Sequence, residues 1–116
     1  MGHYDEVAKD LRQPTRELRK AIPDTWGAFA GLHQAAMDDG ELSRATKEVI
    51  ALTIAAVKRC DGCISYHAKS AARAGATRGQ VAEALGVALL MDGGTASVYA
   101  PRALAAFDEF SEVTPA

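Results

Sequence analysis

Apolar residues recur every three or four positions along most of the chain, and Gly and Pro residues separate these stretches. This spacing is typical of α-helices that bury one face, so the pattern predicts five or six helices. The first covers about Tyr4–Ala21. Proline cannot donate a backbone hydrogen bond and clashes with the preceding turn, so Pro14 should break or kink this helix.

The next two predicted helices contain the most apolar part of the chain. The second should begin at Pro23, because proline fits the first turn of a helix. The third should run from an N-cap at Ser43 to about Arg59. Between residues 49 and 57 only Thr53 is polar. A helix that is apolar on every side is usually buried, so we expect the third helix to be central in the fold.

A fourth predicted helix starts at a pair of cysteines, with Asp61 as its candidate N-cap. It should end at Gly75, because glycine favours the C-terminal ends of helices. Thr77 and Gln80 have the spacing of a capping box. This spacing predicts a fifth helix that continues to about Met91.

The last predicted helix covers about Thr95–Phe110. Pro101 should kink it, because proline interrupts the hydrogen bonds of a helix. The tail from Ser111 should fray, since chain ends have few contacts to hold them.

The composition supports helices with a thin core. Alanine contributes 24 residues, against 26 for Val, Ile, Leu, Met and Phe together. Alanine is the best helix former, but it buries little area per residue. We therefore predict an all-α fold, a single-domain bundle of five to six helices over residues 1–116. Self-association would complete the burial that the single chain lacks.

Charge and hydropathy exclude several classes of function. The 13 basic and 15 acidic residues give a formal net charge of −2, which provides no basic field for nucleic acid. We interpret the local cluster of Arg12, Arg16, Arg19 and Lys20 as a solvated helix face. The longest uncharged apolar run, 49–57, is far shorter than the ~20 residues that cross a membrane. The first residues lack the apolar stretch of a signal peptide, so we expect a cytoplasmic protein without a membrane partner.

The two cysteines, Cys60 and Cys63, form a C-x-x-C motif at the predicted start of the fourth helix. This spacing allows a disulfide across one turn. The free N–H groups and the dipole of a helix N-terminus favour the thiolate, which is the nucleophilic form. Cys63 lies inside the first turn and should feel the dipole more than Cys60. His67 shares a helix face with Cys63, and its imidazole could take and return the thiol proton.

Glu48 completes the spacing E-x11-C-x2-C-x3-H. A carboxylate in contact with His67 would orient the imidazole. In an ideal hairpin that turns near Cys60, however, the two side chains differ in depth by about 7 Å, at about 1.5 Å per residue. Contact therefore needs a tilted crossing, a break in the third helix, a bridging water or a neighbouring subunit.

Other interpretations of these residues stay open. Cys60, Cys63 and His67 are three candidate zinc ligands with Glu48 as a fourth, although structural zinc sites usually have four Cys or His ligands. The cysteines could instead be inert, and Glu48 could be a dipole partner of its own helix. His33 has no acid or thiol neighbour in the sequence, so we expect a structural role for it.

The segment from Glu48 to His67, together with the residues before it, resembles the AhpD-like alkylhydroperoxidases of the carboxymuconolactone decarboxylase superfamily. The resemblance extends over about Pro23–Phe107. It implies an all-helical fold, a homo-oligomer that is commonly a trimer or hexamer, and thiol peroxidase or disulfide reductase chemistry. It implies no bound cofactor. Electrons would come from an external dithiol, either a lipoylated protein or a thioredoxin-like partner.

The resemblance also implies a role for each residue of the motif. Cys63 would attack a hydroperoxide, and Cys60 would be the resolving and more exposed thiol. His67 and Glu48 would form a proton relay to them. The best-known peroxidases of the family carry a second histidine between the cysteines, where this chain has an Asp-Gly pair.

The leading hypothesis is a small thiol-dependent peroxidase. One alternative is another enzyme on the same scaffold, either a disulfide reductase or a carboxymuconolactone decarboxylase-like enzyme. The cysteine pair argues against the decarboxylase branch, whose members act on a lactone without it. A further alternative is a non-catalytic oligomer that senses redox state or binds zinc.

Overall fold

Six helices make up the computed structural model, which describes residues 2–113. The helices are α1 (His3–Ala21), α2 (Pro23–Met37), α3 (Arg44–Val57), α4 (Asp61–Arg73), α5 (Arg78–Asp92) and α6 (Ala96–Val113). No strand occurs within this range, so the prediction of an all-α, single-domain bundle is confirmed. None of the described helices is both long enough and apolar enough to cross a membrane.

Side-chain caps set two of the helix starts as predicted. The Ser43 hydroxyl accepts the backbone N–H of Thr46 at 3.1 Å at the start of α3. At the start of α5, the Gln80 N–H donates to Thr77 Oγ1 at 3.1 Å, and the Thr77 N–H donates to Gln80 Oε1 at 3.0 Å. Gly75 follows α4 with a φ of +92°, a left-handed conformation that glycine adopts without strain.

The two prolines do not interrupt their helices. Pro14 lies inside α1 and Pro101 inside α6, and each helix continues on both sides. The predicted break at Pro14 is therefore wrong. Both prolines are exposed, so water can hydrate the carbonyl that loses its helical partner. Helix α6 continues to Val113, three residues past its predicted end at Phe110, and the rest of the tail predicted to fray, residues 114–116, lies outside the described residues.

The core lies where α3, α4 and α6 meet. Small side chains at this junction let the helix axes approach closely. The buried residues there include Leu52, Ala56, Ile64, Ala68, Ala71, Ala103 and Ala106. The expectation that α3 is buried on every side is wrong, because Ile50 and Ile54 on its outer side are 44% and 49% exposed. The neighbouring helices cover only one side of α3.

Apolar surface remains uncovered on α2 as well. Met37 is its one buried residue among those described, whereas Phe29 and Leu32 are 58% and 66% exposed. Together with the outer side of α3, these side chains leave apolar area that the single chain does not bury. Self-association therefore stays a prediction, and the fold offers surface for it.

Candidate active site

The C-x-x-C motif occupies the turn that joins α3 to α4. Arg59 in this turn has a φ of +55°, and Cys60 follows with extended backbone angles as the N-cap of α4. The Cys63 backbone N–H donates to the Sγ of Cys60 at 3.3 Å. The prediction of Asp61 as N-cap is therefore wrong. An N-cap residue is not yet helical, whereas Asp61 is the first helical residue of α4.

The sulfur atoms of Cys60 and Cys63 lie at disulfide-bonding distance, and the two Cα atoms are 5.2 Å apart. Cys63 is exposed and Cys60 is half-buried, so the expectation that Cys60 is the more exposed thiol is wrong. As the N-cap, Cys60 packs its sulfur against the first turn of α4. The same geometry directs the Cys63 N–H at the Cys60 sulfur, while Cys63 itself lies in the first turn of α4, as predicted.

Tyr4 holds α1 against the start of α4. Its hydroxyl donates to the Asp61 carboxylate at 3.1 Å, and its carbonyl accepts the Ser65 hydroxyl at 2.6 Å. Burial, and then the hydrogen bond to Asp61, raises the pKa of Tyr4 to about 12. The phenol is therefore a permanent donor at neutral pH, and it fixes one of the two residues between the cysteines.

Glu48 and His67 are in direct contact within one chain. Glu48 Oε1 lies 2.8 Å from His67 Nδ1, and Glu48 has no exposed surface. The expected mismatch in depth is small because α3 ends early, at Val57. Glu48 lies nine residues before that end, and His67 lies six residues after the start of α4. The difference of three residues corresponds to about 4.5 Å, which two long side chains can span.

The buried Glu48 carboxylate has a different partner on each oxygen. Oε1 faces the imidazole, whereas Oε2 lies 3.7 Å from Arg44 Nη2, an ion pair that is too long for a hydrogen bond. When the Glu48 carboxylate is ionised it can only accept, so His67 Nδ1 is then the donor in this contact. The Nε2 atom of His67 is then free to accept a proton. This is the usual effect of a carboxylate that binds the other nitrogen of the ring.

His33 on α2 also lies beside His67, which sequence reasoning missed. The two rings are nearly parallel, with centroids 6.3 Å apart, and His33 also meets the Tyr66 ring at 5.6 Å. The Nε2 atom of His33 is buried and has no hydrogen-bond partner among the described residues. No sequence signal could have shown this, because His33 comes from a different helix and belongs to no motif.

The four residues predicted for the site thus form two adjacent groups. The cysteine pair opens α4, and His67, which contacts Glu48 of α3, lies about one turn after Cys63 on α4. Among the side chains that the structure describes, no group of three His, Cys, Asp or Glu is arranged to hold a metal ion. The arrangement combines an accessible sulfur with a fully buried carboxylate and a half-buried imidazole that can exchange a proton.

Comparison with known proteins gives several similar chains. An uncharacterised protein of Cupriavidus necator is 45% identical over 91 residues, which are 78% of this chain and 80% of that protein. The crystal structure of a carboxymuconolactone decarboxylase family protein from Legionella pneumophila superposes with a TM-score of 0.90 at 41% identity, covering 93% of this chain and 96% of that one.

A carboxymuconolactone decarboxylase family protein from Thermotoga maritima, for which an antioxidative role has been suggested, superposes with a TM-score of 0.75. It is 30% identical, and the match covers 90% of this chain and 92% of that one. The model of the carboxymuconolactone decarboxylase family itself matches residues 23–108. The matched range contains all four residues of the candidate site, and the chain belongs to the carboxymuconolactone decarboxylase family.

Proposed function

We propose that the chain is a thiol-dependent peroxidase of the AhpD-like type. The observation that carries the proposal is a cysteine pair at the start of α4, next to an imidazole that contacts a fully buried carboxylate. Reduction of a peroxide by thiols needs a nucleophilic sulfur and a group that moves protons. The antioxidative role suggested for the Thermotoga maritima protein agrees with this chemistry.

In the first step, the reduced Cys63 attacks one oxygen of the hydroperoxide. His67 takes the thiol proton, an S–O bond forms, and the O–O bond breaks. The leaving alkoxide takes the proton back from His67 and departs as an alcohol, so protons balance. The exposure of Cys63 supports its role as the attacking thiol, and the negative charge of Glu48 stabilises the transient imidazolium.

In the second step, the Cys63 sulfenic acid condenses with the Cys60 thiol, an S–S bond forms and water leaves. An external dithiol then supplies two electrons and becomes a disulfide itself. Because Cys63 is the exposed sulfur, we expect the donor thiolate to attack there. Cys60 then leaves as a thiolate, which the Cys63 N–H stabilises.

In this function the protein meets a substrate, an electron donor and further copies of itself. The substrate is a hydroperoxide, and the donor is a lipoylated or thioredoxin-like protein in a reducing compartment such as the cytoplasm. No bound cofactor is required, because the two cysteines carry both electrons. The uncovered apolar side chains of α2 and α3 support a homo-oligomer, a trimer or hexamer, that sedimentation analysis can count.

The test is intact-mass analysis of reduced protein before and after one equivalent of cumene hydroperoxide. We expect the loss of two hydrogen atoms and a peptide map with a Cys60–Cys63 disulfide. Cys60→Ser should stop at the sulfenic acid and gain one oxygen atom. Cys63→Ser should consume no peroxide while keeping the oligomeric state, and unchanged consumption in this variant would refute the proposal.

A disulfide reductase is the second candidate, because the exposed Cys63 sulfur is open to exchange with a thiol or disulfide. Faster turnover of hydroxyethyl disulfide than of hydroperoxides would favour it. A decarboxylase would instead convert a lactone, and this turnover would continue in a variant that lacks both cysteines.

A further inference from the structure

A cleft lies between α1 and α4, beside the C-x-x-C motif. Its volume is about 490 Å³. None of its lining residues is acidic, and five are basic: Arg12, Arg16, Arg19, Lys69 and Arg73. We refer to it as the basic cleft. The cleft is thus cationic, although the formal net charge of the whole chain is −2.

The five cations of the basic cleft have no ion-pair partner within the part of the chain that the structure describes. Carboxylates elsewhere in the fold do pair, as Asp108 does with Arg78 at 2.8 Å. Four of the cleft cations form two pairs with a spacing of four residues. Arg12 and Arg16 are the pair on α1, and Lys69 and Arg73 are the pair on α4. Like charges at this spacing repel each other, so the arrangement does not serve stability.

Helix dipoles explain only part of the arrangement. Arg19 and Arg73 lie in the last turns of α1 and α4, where a cation is favourable. Arg12, Arg16 and Lys69 lie further from the helix ends and gain less from the dipole. The interpretation of the sequence cluster as a solvated helix face is therefore incomplete, because three of its four members line a concave surface.

We propose that the basic cleft binds a small anion with carboxylate or phosphate groups. Guanidinium groups bind the oxygens of either group through paired hydrogen bonds. The volume falls within the range of about 300–1,000 Å³ that is typical of small-molecule sites. A concave site of this size favours a small molecule over the surface of a protein.

The basic cleft adjoins the redox pair. Gly62, between the cysteines, lines it, and a Cβ at position 62 would lie 2.8 Å from Leu11 Cδ1. Tyr66 lines it as well and meets the His67 ring at a centroid distance of 5.1 Å. The assignment of the occupant rests on the function proposed above. The occupant is the anionic end of the hydroperoxide substrate, and the reactive end of the same molecule meets Cys63.

The first experiment measures binding without turnover. Protein carrying Cys63→Ser is titrated calorimetrically with pyrophosphate and with citrate, and the stronger ligand identifies phosphate or carboxylate chemistry. Adding Arg16→Gln or Lys69→Gln should weaken binding about tenfold, since each removes a charged hydrogen-bond donor. Lys20→Gln is the matched control, because Lys20 is a cation on α1 that does not line the cleft. It should weaken binding less than about twofold.

Equal weakening by Lys20→Gln, or no saturable binding of either anion at about 0.15 M salt, would overturn the site. Because this arm uses a variant without peroxide chemistry, its result does not depend on the proposed function. The second arm compares peroxysuccinic acid with peroxypropionic acid, which lacks only the terminal carboxylate. Arg16→Gln should lower kcat/KM for peroxysuccinic acid about tenfold more than for peroxypropionic acid. Equal losses would overturn the assignment of the anion as substrate.

Discussion

Replacement of Glu48 by Gln should slow the oxidation of Cys63 while keeping the fold. The substitution preserves the shape of a fully buried side chain whose Oε1 lies 2.8 Å from His67 Nδ1. A hydrogen bond to a charged group contributes about 1.5–3 kcal/mol, against about 0.5–1.5 kcal/mol for a neutral one. The difference, roughly 1–2 kcal/mol, acts on the imidazolium that forms as His67 takes the thiol proton. It corresponds to a rate about 5–30-fold lower.

The assay is rapid-quench mixing of reduced protein with excess hydroperoxide, followed by counting of free thiols. Arg44→Gln is the matched control, because it removes the partner of Glu48 Oε2 and leaves the contact with His67 in place. The Arg44 side chain is 48% exposed, so this ion pair contributes at most about 1 kcal/mol and the rate should fall less than about fivefold. A Glu48→Gln rate within twofold of the wild type, at an unchanged melting temperature, would refute the relay.

Two further predictions concern stability. Tyr4→Phe should lower the free energy of unfolding by about 1 kcal/mol in denaturant titrations near pH 7, because the hydroxyl no longer donates to Asp61. Since the pKa of Tyr4 is raised from 10.0 to about 12, its contribution is complete below pH 10 and is lost as the pH rises towards 12, so the wild type should lose stability there relative to Tyr4→Phe. His33→Phe should raise the melting temperature, because it keeps a ring beside His67 and removes a buried nitrogen without a hydrogen-bond partner. A lower melting temperature for His33→Phe would show that this nitrogen does have a partner in solution.

Local chemistry explains why so much of the helical layout could be predicted. The Ser43 cap and the Thr77–Gln80 box are contacts between residues three apart, and the sequence displays such contacts directly. The C-x-x-C motif and the E-x11-C spacing are likewise visible along the chain. The contact between Glu48 and His67 depended on where α3 ends, and a shift of two residues in that end changes the depth of Glu48 by about 3 Å.

The features that could not be predicted depend on contacts between distant parts of the chain. His33 reaches the site through the docking of α2, and no local pattern reports that docking. The greater exposure of Cys63 over Cys60 depends on which residue begins α4 and on how the neighbouring helices pack against it. Pro14 is tolerated because its side of α1 faces water, a fact of packing that the intrinsic preference of proline does not contain.

The tight approach of position 62 to Leu11 has an evolutionary consequence. A side chain at position 62 would meet Leu11, which comes from a different helix and is 44% exposed. A histidine at position 62, between the cysteines, therefore needs a smaller residue at position 11 or a leucine that turns away. Among homologues, substitutions at positions 11 and 62 should therefore occur together. Loss or gain of a histidine at position 62 would then be accompanied by a substitution in the first helix, some fifty residues before the motif.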